Sequence, residues 1–305
     1  MGTLKGQNLR ICVLGRNPAT YKVIAMATNC SINLTNNVES RTTKDDVGMS
    51  DKPVTTSKSW TVSVDSLDVT DTAAMLTAIK SMTPMKLYWN ETLTTDNQAW
   101  GTTYPRSGMA FMSDVTFQFD NRTLSTKSIQ FSGTGAIDFE SHDDLDVELV
   151  PAGSYTHGQF VRLFLSSDNT TEPAAVIAAA KTLSLHIGVS LEDATTKDTA
   201  GDWQVQEPTA ITYDITTSAL YKSGETITSS VAGKSYNDLQ TIYNNGTPVK
   251  WKIANIGAGA NNRTASSTIV SGSAVLTRLE LTAPNRSNTE YTTQLNGYGD
   301  YDVAA

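Results

Sequence analysis

The chain is written twice, and that limits its folds more than any composition figure does. Gly6-Gln7-Asn8-Leu9-Arg10-Ile11 returns as Gly158-Gln159-Phe160-Val161-Arg162-Leu163. Thr42-Thr43-Lys44-Asp45 returns as Thr195-Thr196-Lys197-Asp198. Asn121-Arg122 returns as Asn285-Arg286, and Gly133-Thr134-Gly135 as Gly297-Tyr298-Gly299. The offset is 152 at the start, 153 at Thr42/Thr195, and 164 from Pro84/Pro248 onward. The jump places an insertion after Leu220, near 221–234, rich in Ser, Thr and Gly as a surface loop would be. Solenoid repeats run 20 to 50 residues, whereas this period is the size of a whole domain. The sequence therefore predicts two tandem domains, 1–150 and 151–305.

Composition supports a strand-rich reading. Thr and Ser are abundant, and the 39% hydrophobic content suffices for two compact cores. The net charge is −8. It divides evenly: residues 1–152 carry 13 basic and 17 acidic side chains, residues 153–305 carry 10 and 14. Such a balance argues against tight nucleic-acid binding, which needs Lys and Arg on phosphates. It leaves room for a channel through which DNA slides without sticking. No run of 18 apolar residues predicts a membrane span, and the N-terminus shows no apolar signal region. Spacing leaves a Cys12–Cys30 disulfide open. Their counterparts Phe164 and Leu183 are apolar, so both cysteines read as small buried hydrophobes.

Period-two alternation marks strands at 30–34, 60–64 and 113–119, and at the matching stretches 183–187, 213–217 and 275–281. Leu9–Val13, Phe160–Leu165, Ser128–Phe131 and Thr292–Leu295 add four more. One helix is expected per copy. Met75, Leu76, Ile79 and Met82 stripe the first, near 72–81; Tyr236, Leu239, Ile242 and Tyr243 stripe the second, near 236–243. Ser235 with Asp238 resembles a capping box, and each helix stops before a Thr-Pro pair. Glu172–Lys181 has helical propensity, but its counterpart 21–27 reads as a strand, so both are assigned to strands. The expected domain is mainly β, a sandwich or partly closed barrel with one flanking α-helix.

The longest polar stretches run from Asn36 to Ser57 and from Ser190 to Pro208. Long loops in compact domains are usually functional. Both keep Thr, Lys, Asp and Gly in register, as Thr43, Lys44, Asp45 and Gly48, and as Thr196, Lys197, Asp198 and Gly201. Loops retained in both copies suggest one task done twice.

Catalytic chemistry is hard to find. His157 and His186 face Lys5 and Asn33 in the other copy, so neither is duplicated, and His142 stands near the junction. All three read as solvated or edge-strand histidines. The acidic residues from Asp138 to Glu148 could ligate Ca²⁺ but lack EF-hand spacing, and read as a solvated linker. Trp60, Trp89, Trp100, Trp203 and Trp251 could form sugar platforms, although Trp60 and Trp251 sit in core-like strand patterns. No nucleophile–base pair or metal-ligand spacing stands out, so neither an enzyme nor a cofactor or metal is expected.

An ordered set of segments resembles the major tail, or tail tube, proteins of long-tailed bacteriophages. It comprises Asn8–Ile11, Ala27–Leu34, Thr43-Lys44-Asp45 with Gly48, and Ser59–Leu67. It recurs more loosely through Thr196-Lys197-Asp198, Gly201-Asp202-Trp203 and 210–220; the first copy has Gly48-Met49-Ser50 in place of Gly-Asp-Trp. The resemblance implies a structural virion protein, assembled in the host cytoplasm, whose rings stack into a tube that passes genomic DNA without specific binding. It implies self-association, contacts with tail terminator, tape measure and tail tip proteins, and no membrane. Duplicated tube domains would form homotrimers with pseudo-sixfold rings. The eight loop residues then become candidates for ring-to-ring contact. A two-domain carbohydrate-binding or adhesin-type surface module is the alternative.

Overall fold

Residues 9–14, 21–24, 26–46, 48, 50–67, 72–91, 106–139, 147–148, 156–199, 201–221, 233–256 and 265–303 are described by the computed structural model. Alternating apolar residues give long antiparallel strands. In the first half these are β1 (Leu9–Leu14), β2 (Tyr21–Val23), β3 (Ala27–Ser40), β4 (Pro53–Ser66), β5 (Met85–Glu91), β6 (Arg106–Gln118), β7 (Thr126–Asp138) and the short β8 (Val147–Glu148). The second half contributes β9 (Val161–Leu165), β10 (Ala175–Ile177), β11 (Ala180–Asp193), β12 (Gln206–Leu220), β13 (Gly233–Lys234), β14 (Val249–Ile256), β15 (Ala265–Thr282), β16 (Glu290–Gly297) and β17 (Asp302–Val303). Helix α1 (Thr72–Lys80) lies between β4 and β5, and α2 (Tyr236–Asn245) between β13 and β14.

Neighbouring strands of the first half run β2-β1-β5-β6-β7-β4-β3, all antiparallel. The second half repeats this order as β10-β9-β14-β15-β16-β12-β11. The backbone repeats at finer scale too. Among the described residues, those with positive φ pair off at the two sequence offsets: Met26 with Ala179, Gly48 with Gly201, Met82 with Gly246, Arg122 with Arg286, and Gly135 with Gly299. Left-handed conformation is costly for a side chain such as Met or Arg. Its return at matching sites shows that the turn, not the residue, is what the fold retains.

The interior follows the pleat. Trp60, Val62 and Val64 of β4 are buried, as are Leu183, Leu185 and Ile187 of β11. Most buried apolar side chains form one continuous cluster through both halves, with Phe117 and Phe119 of the first beside Leu183 and Leu185 of the second at a shared strand pair; Phe164, Val176 and Ala254 form a smaller separate cluster. Burial at roughly 25 cal/mol per Å² of apolar surface makes this cluster the main stabilising contribution.

The strand assignments at 21–27 and 172–181 hold, as β2 and β10 with the starts of β3 and β11. Three expectations need correction. The polar loops are shorter, 41–52 and 194–205, because β3–β4 and β11–β12 continue as hydrogen-bonded ribbons beyond the core. Both faces of the first ribbon tip are exposed, so alternation disappears from its sequence while the backbone pairing persists. Strand β5, after Thr83-Pro84, was not anticipated, whereas β14 contains Trp251, which the sequence placed in a strand pattern. Proline also does not end α2. Gly246 does, at φ 62, its N–H donating back to the carbonyls of Ile242 and Tyr243. The Ser235–Asp238 capping box is present as expected. Most of the insertion (222–232), the acidic residues 140–146, His142 and Trp100 lie outside the described residues.

Candidate assembly surfaces

The halves are joined edge to edge. Ser184–Gly188 of β11 runs antiparallel to Asp114–Gln118 of β6, with His186 opposite Thr116. Backbone bonds extend the seam: Phe119 and Leu183 exchange N–H···O contacts of 2.8 and 3.2 Å, and Asn121 N–H reaches Lys181 O at 2.9 Å. Strand edges carry unpaired donors and acceptors, so such a seam satisfies backbone groups that would otherwise invite aggregation.

Side chains reinforce the seam. His186 lies between two carboxylates, its Nδ1 2.9 Å from Asp214 and its Nε2 2.5 Å from Asp114 across the joint. Partial burial pulls the imidazole pKa down, but hydrogen bonds and charge from Asp114 and Asp214 outweigh it and hold the pKa above its ordinary value. His186 is therefore partly exposed but lies on a strand paired on both sides, which corrects the expectation of an edge strand. His157 is exposed, with its ring edge-on to Phe160.

A second contact comes from the returning arm of the 194–205 loop. It crosses onto the first half beside Lys58. Lys58 N–H donates to Asp202 O at 2.6 Å, and Gln204 N–H donates to Lys58 O at 2.9 Å. Gly135 N–H donates to Gln204 O at 2.8 Å, and Gln206 N–H to the Thr134 hydroxyl at 3.0 Å. The Lys58 ammonium meets the Asp202 carboxylate at 3.2 Å. Helix α1 completes the joint. Its Lys80 ammonium donates to Tyr301 O at 2.6 Å, and Tyr301 Oη donates to Leu76 O at 2.9 Å.

The eight loop residues singled out by sequence fall at the tips of the two ribbons, all exposed. Their frames share four bonds. Asp46 N–H donates to Thr43 O at 3.1 Å, and Thr199 N–H to Thr196 O at 3.1 Å. In return Thr43 N–H donates to the Asp46 carboxylate at 2.7 Å, and Thr196 N–H to the Thr199 hydroxyl at 3.0 Å. Arg41 closes on Lys52 as Ala194 closes on Val205, at 2.9 and 2.8 Å. Thr42 and Thr195 each use the side-chain oxygen to accept the N–H of Lys52 or Val205, at 3.1 and 2.9 Å. Thr43 and Thr196 thus set a turn, Lys44-Asp45 and Lys197-Asp198 occupy its central positions, and Gly48 and Gly201 supply positive φ. Hydrogen bonds hold three loop carboxyls below the usual range. Asp46 is held by Lys52 and then Thr43, Asp51 by Ser40 and then Thr42, and Asp193 by the Thr195 hydroxyl and N–H.

Elsewhere the sequence candidates are structural. Trp60, Trp89 and Trp251 are buried, which removes them as sugar platforms. Cys12 is buried and Cys30 half-buried; both thiols are free, and burial raises both pKa values. The seam residues Asp114 and Asp214 were missed in the sequence, since only the fold brings them to His186.

A repeating strand-and-loop frame built for edge pairing needs a relative to give it meaning. Residues 158–303 match the family model of phage tail tube proteins. Over this span the chain is similar to phage tail tube proteins. No curated protein matches the chain. Among solved structures, the tail of an empty gene transfer agent particle is similar at 13% identity and TM-score 0.36, covering 49% of this chain and 99% of its own. A native gene transfer agent virion gives 14% and 0.34, over 49% and 99%. The SPP1 tail tube gives 16% and 0.36, over 48% and 78%. The tail tube assignment of 158–303 agrees with the resemblance carried by both copies.

Proposed function

We propose that this chain is a structural subunit of a phage tail tube and that both halves, 1–150 and 151–305, are tube domains. Three chains close one ring of six domains, and rings stack through the Thr43-Lys44-Asp45/Gly48 and Thr196-Lys197-Asp198/Gly201 tips. The observation that carries this reading is the β6–β11 seam. One chain already holds two tube-like units edge to edge, so three chains would supply the six units of such a ring. Head-to-tail contacts close by rotation.

The solvent face of the continuous sheet supports a conduit role. It alternates with the core residues and presents Asp65, Asp114 and Asp214 together with hydroxyls and amides such as Ser63, Ser128 and Gln130. Duplex DNA carries about one charge per 1.7 Å, so a polar, mildly acidic wall would let it pass without binding. The role is structural, with contacts to the tail's terminator, tape measure and tip proteins at its ends.

Electron microscopy of assembled tubes tests the stoichiometry: rings of three chains are expected, and rings of six chains, hence twelve domains, would refute it. The double variant Lys44→Glu, Lys197→Glu should fold normally yet shorten tubes. Tubes of wild-type length from that variant would remove the loops from ring stacking.

A further inference from the structure

The seam inside the chain has an unfilled counterpart at each end of the sheet. Ser184–Gly188, which pairs at the seam, corresponds to Ser31–Thr35 on β3. Asp114–Gln118 corresponds to Arg278–Thr282 on β15. Among the described residues, β3 pairs only with β4 over 31–35, and β15 pairs only with β16 over 278–282. Each therefore keeps one open edge where its counterpart is filled.

Exposed apolar side chains mark the same places. Leu34 is 57% exposed, whereas its counterpart Ile187 is 0% exposed. Leu281 is 44% exposed against 1% for Phe117, and Tyr243 of α2 is 48% exposed against 2% for Ile79 of α1. Tyr298, at the position of Thr134 where the 194–205 arm docks, is 54% exposed. Large apolar groups left in water where a related surface is covered indicate a missing partner.

Resting on the tail tube reading, we propose that this partner is a second copy of the chain and that the two docking surfaces have been changed together. The β3 edge of one chain pairs antiparallel with the β15 edge of the next. The register is Ser31 to Thr282, Asn33 to Glu280, and Thr35 to Arg278. Three side-chain contacts of the internal seam have both members replaced at once. Gln206, whose N–H donates to the Thr134 hydroxyl, is replaced by Pro53, which has no N–H, and Thr134 is replaced by Tyr298, which presents a ring. A proline–tyrosine contact takes the place of that hydrogen bond. The ion pair Lys58–Asp202 has the sequence counterparts Ile211 and Met49, both apolar. The Asp114–His186 contact is replaced by Arg278 and Asn33. Changing one member alone would strand a donor, a charge or an apolar ring. Matched changes keep both joints satisfied while making them chemically distinct. The chain then joins head to tail in one order, second half to first half.

The test places cysteines in the full chain in a Cys30→Ser background and follows oxidation on non-reducing gels beside electron microscopy. Asn33→Cys with Glu280→Cys should cross-link assembled protein into covalent dimers and trimers. Asn29→Cys with Glu280→Cys, out of register, should cross-link at least tenfold less. Leu34→Asp, on an exposed position, should raise the concentration needed for half-assembly at least tenfold with the monomer's thermal melt unchanged. Tubes that form without the Asn33–Glu280 cross-link, or that favour the Asn29 pair, overturn the joint while the tube reading stands. A chain that stays monomeric at every concentration overturns both.

Discussion

The two halves share a backbone but fill it differently at the same point. In the first half Trp60 of β4 lies against Gly108 of β6 and Gly133 of β7, and its indole N–H donates to Gly135 O at 3.1 Å. In the second half the counterpart is Tyr213, against Gly272 and Gly297, with its hydroxyl donating to Ser273 O at 2.5 Å. Trp251 and Tyr301 complete the filling, with ring centroids 5.7 Å from Tyr213. Glycine stays at both positions in both halves while the aromatic changes. The retained element is the clearance that lets a large ring lie flat on the sheet, and the rings themselves are adjusted to one another.

The clearance differs in degree, and that gives the largest expected effect. A Cβ on Gly108 would stand 2.5 Å from the Trp60 ring, whereas one on its counterpart Gly272 would stand 3.2 Å from Trp251. Gly108→Ala should cost about 2–3 kcal/mol, as overpacking of a filled core does. Gly272→Ala should cost less than about 1 kcal/mol, since a neighbour must give by only a few tenths of an ångström. Urea denaturation of the two variants measures the difference; equal losses would show that the halves are packed alike.

A smaller effect separates the helices. Ser235→Ala removes the hydroxyl that accepts from Asp238 N–H and donates to the Asp238 carboxylate, which keeps only the residue 235 N–H. A loss of about 1 kcal/mol is expected, as for other N-cap deletions. Hydrogen exchange should show it as faster exchange in the first turn of α2, with α1 unchanged. Uniform acceleration through both helices would indicate that the halves unfold as one unit, as their continuous core allows.

What could be read in the sequence follows from the range of the interactions involved. The repeat, the alternating strands, the capping box and the retained loop residues are local patterns, and each has a local physical cause. The Thr42 and Thr195 frames are of this kind: a hydroxyl bonding across its own turn leaves the same residue at the same place twice. Ribbon tips exposed on both faces lack alternation, so the full lengths of β3 and β11 were not visible. Strand β5 was missed although Leu87, Tyr88 and Trp89 are all buried, because burial on both faces erases period two. The seam was not legible at all. Asp114, His186 and Asp214 are 28 to 100 residues apart in sequence and meet only through strand pairing.

That seam supplies the finest contrast between the halves, since among the described residues the internal joint sets a histidine between two carboxylates and its counterpart position carries Asn33. Asp114 on β6 and Asp214 on β12 face His186 on β11, with Thr116 opposite. The folded imidazole has a raised pKa, so protonated His186 is favoured by the fold. Its contribution is fully present below the unfolded value of about 6.5 and is lost as pH rises through the raised folded value. The side chain is 38% exposed, so solvent screens the contacts and the effect should be smaller than that of the helix cap. Between about pH 6 and pH 8, the wild-type melting temperature should fall relative to that of His186→Gln, which keeps hydrogen-bonding capacity without the charge. Parallel curves for the two proteins would show that the carboxylates position a neutral ring. If the curves diverge, Asn33 and Arg278 offer the matching control: replacing Asn33 with His should not create the same pH dependence, because Thr61 and Arg278 stand where the carboxylates would have to be.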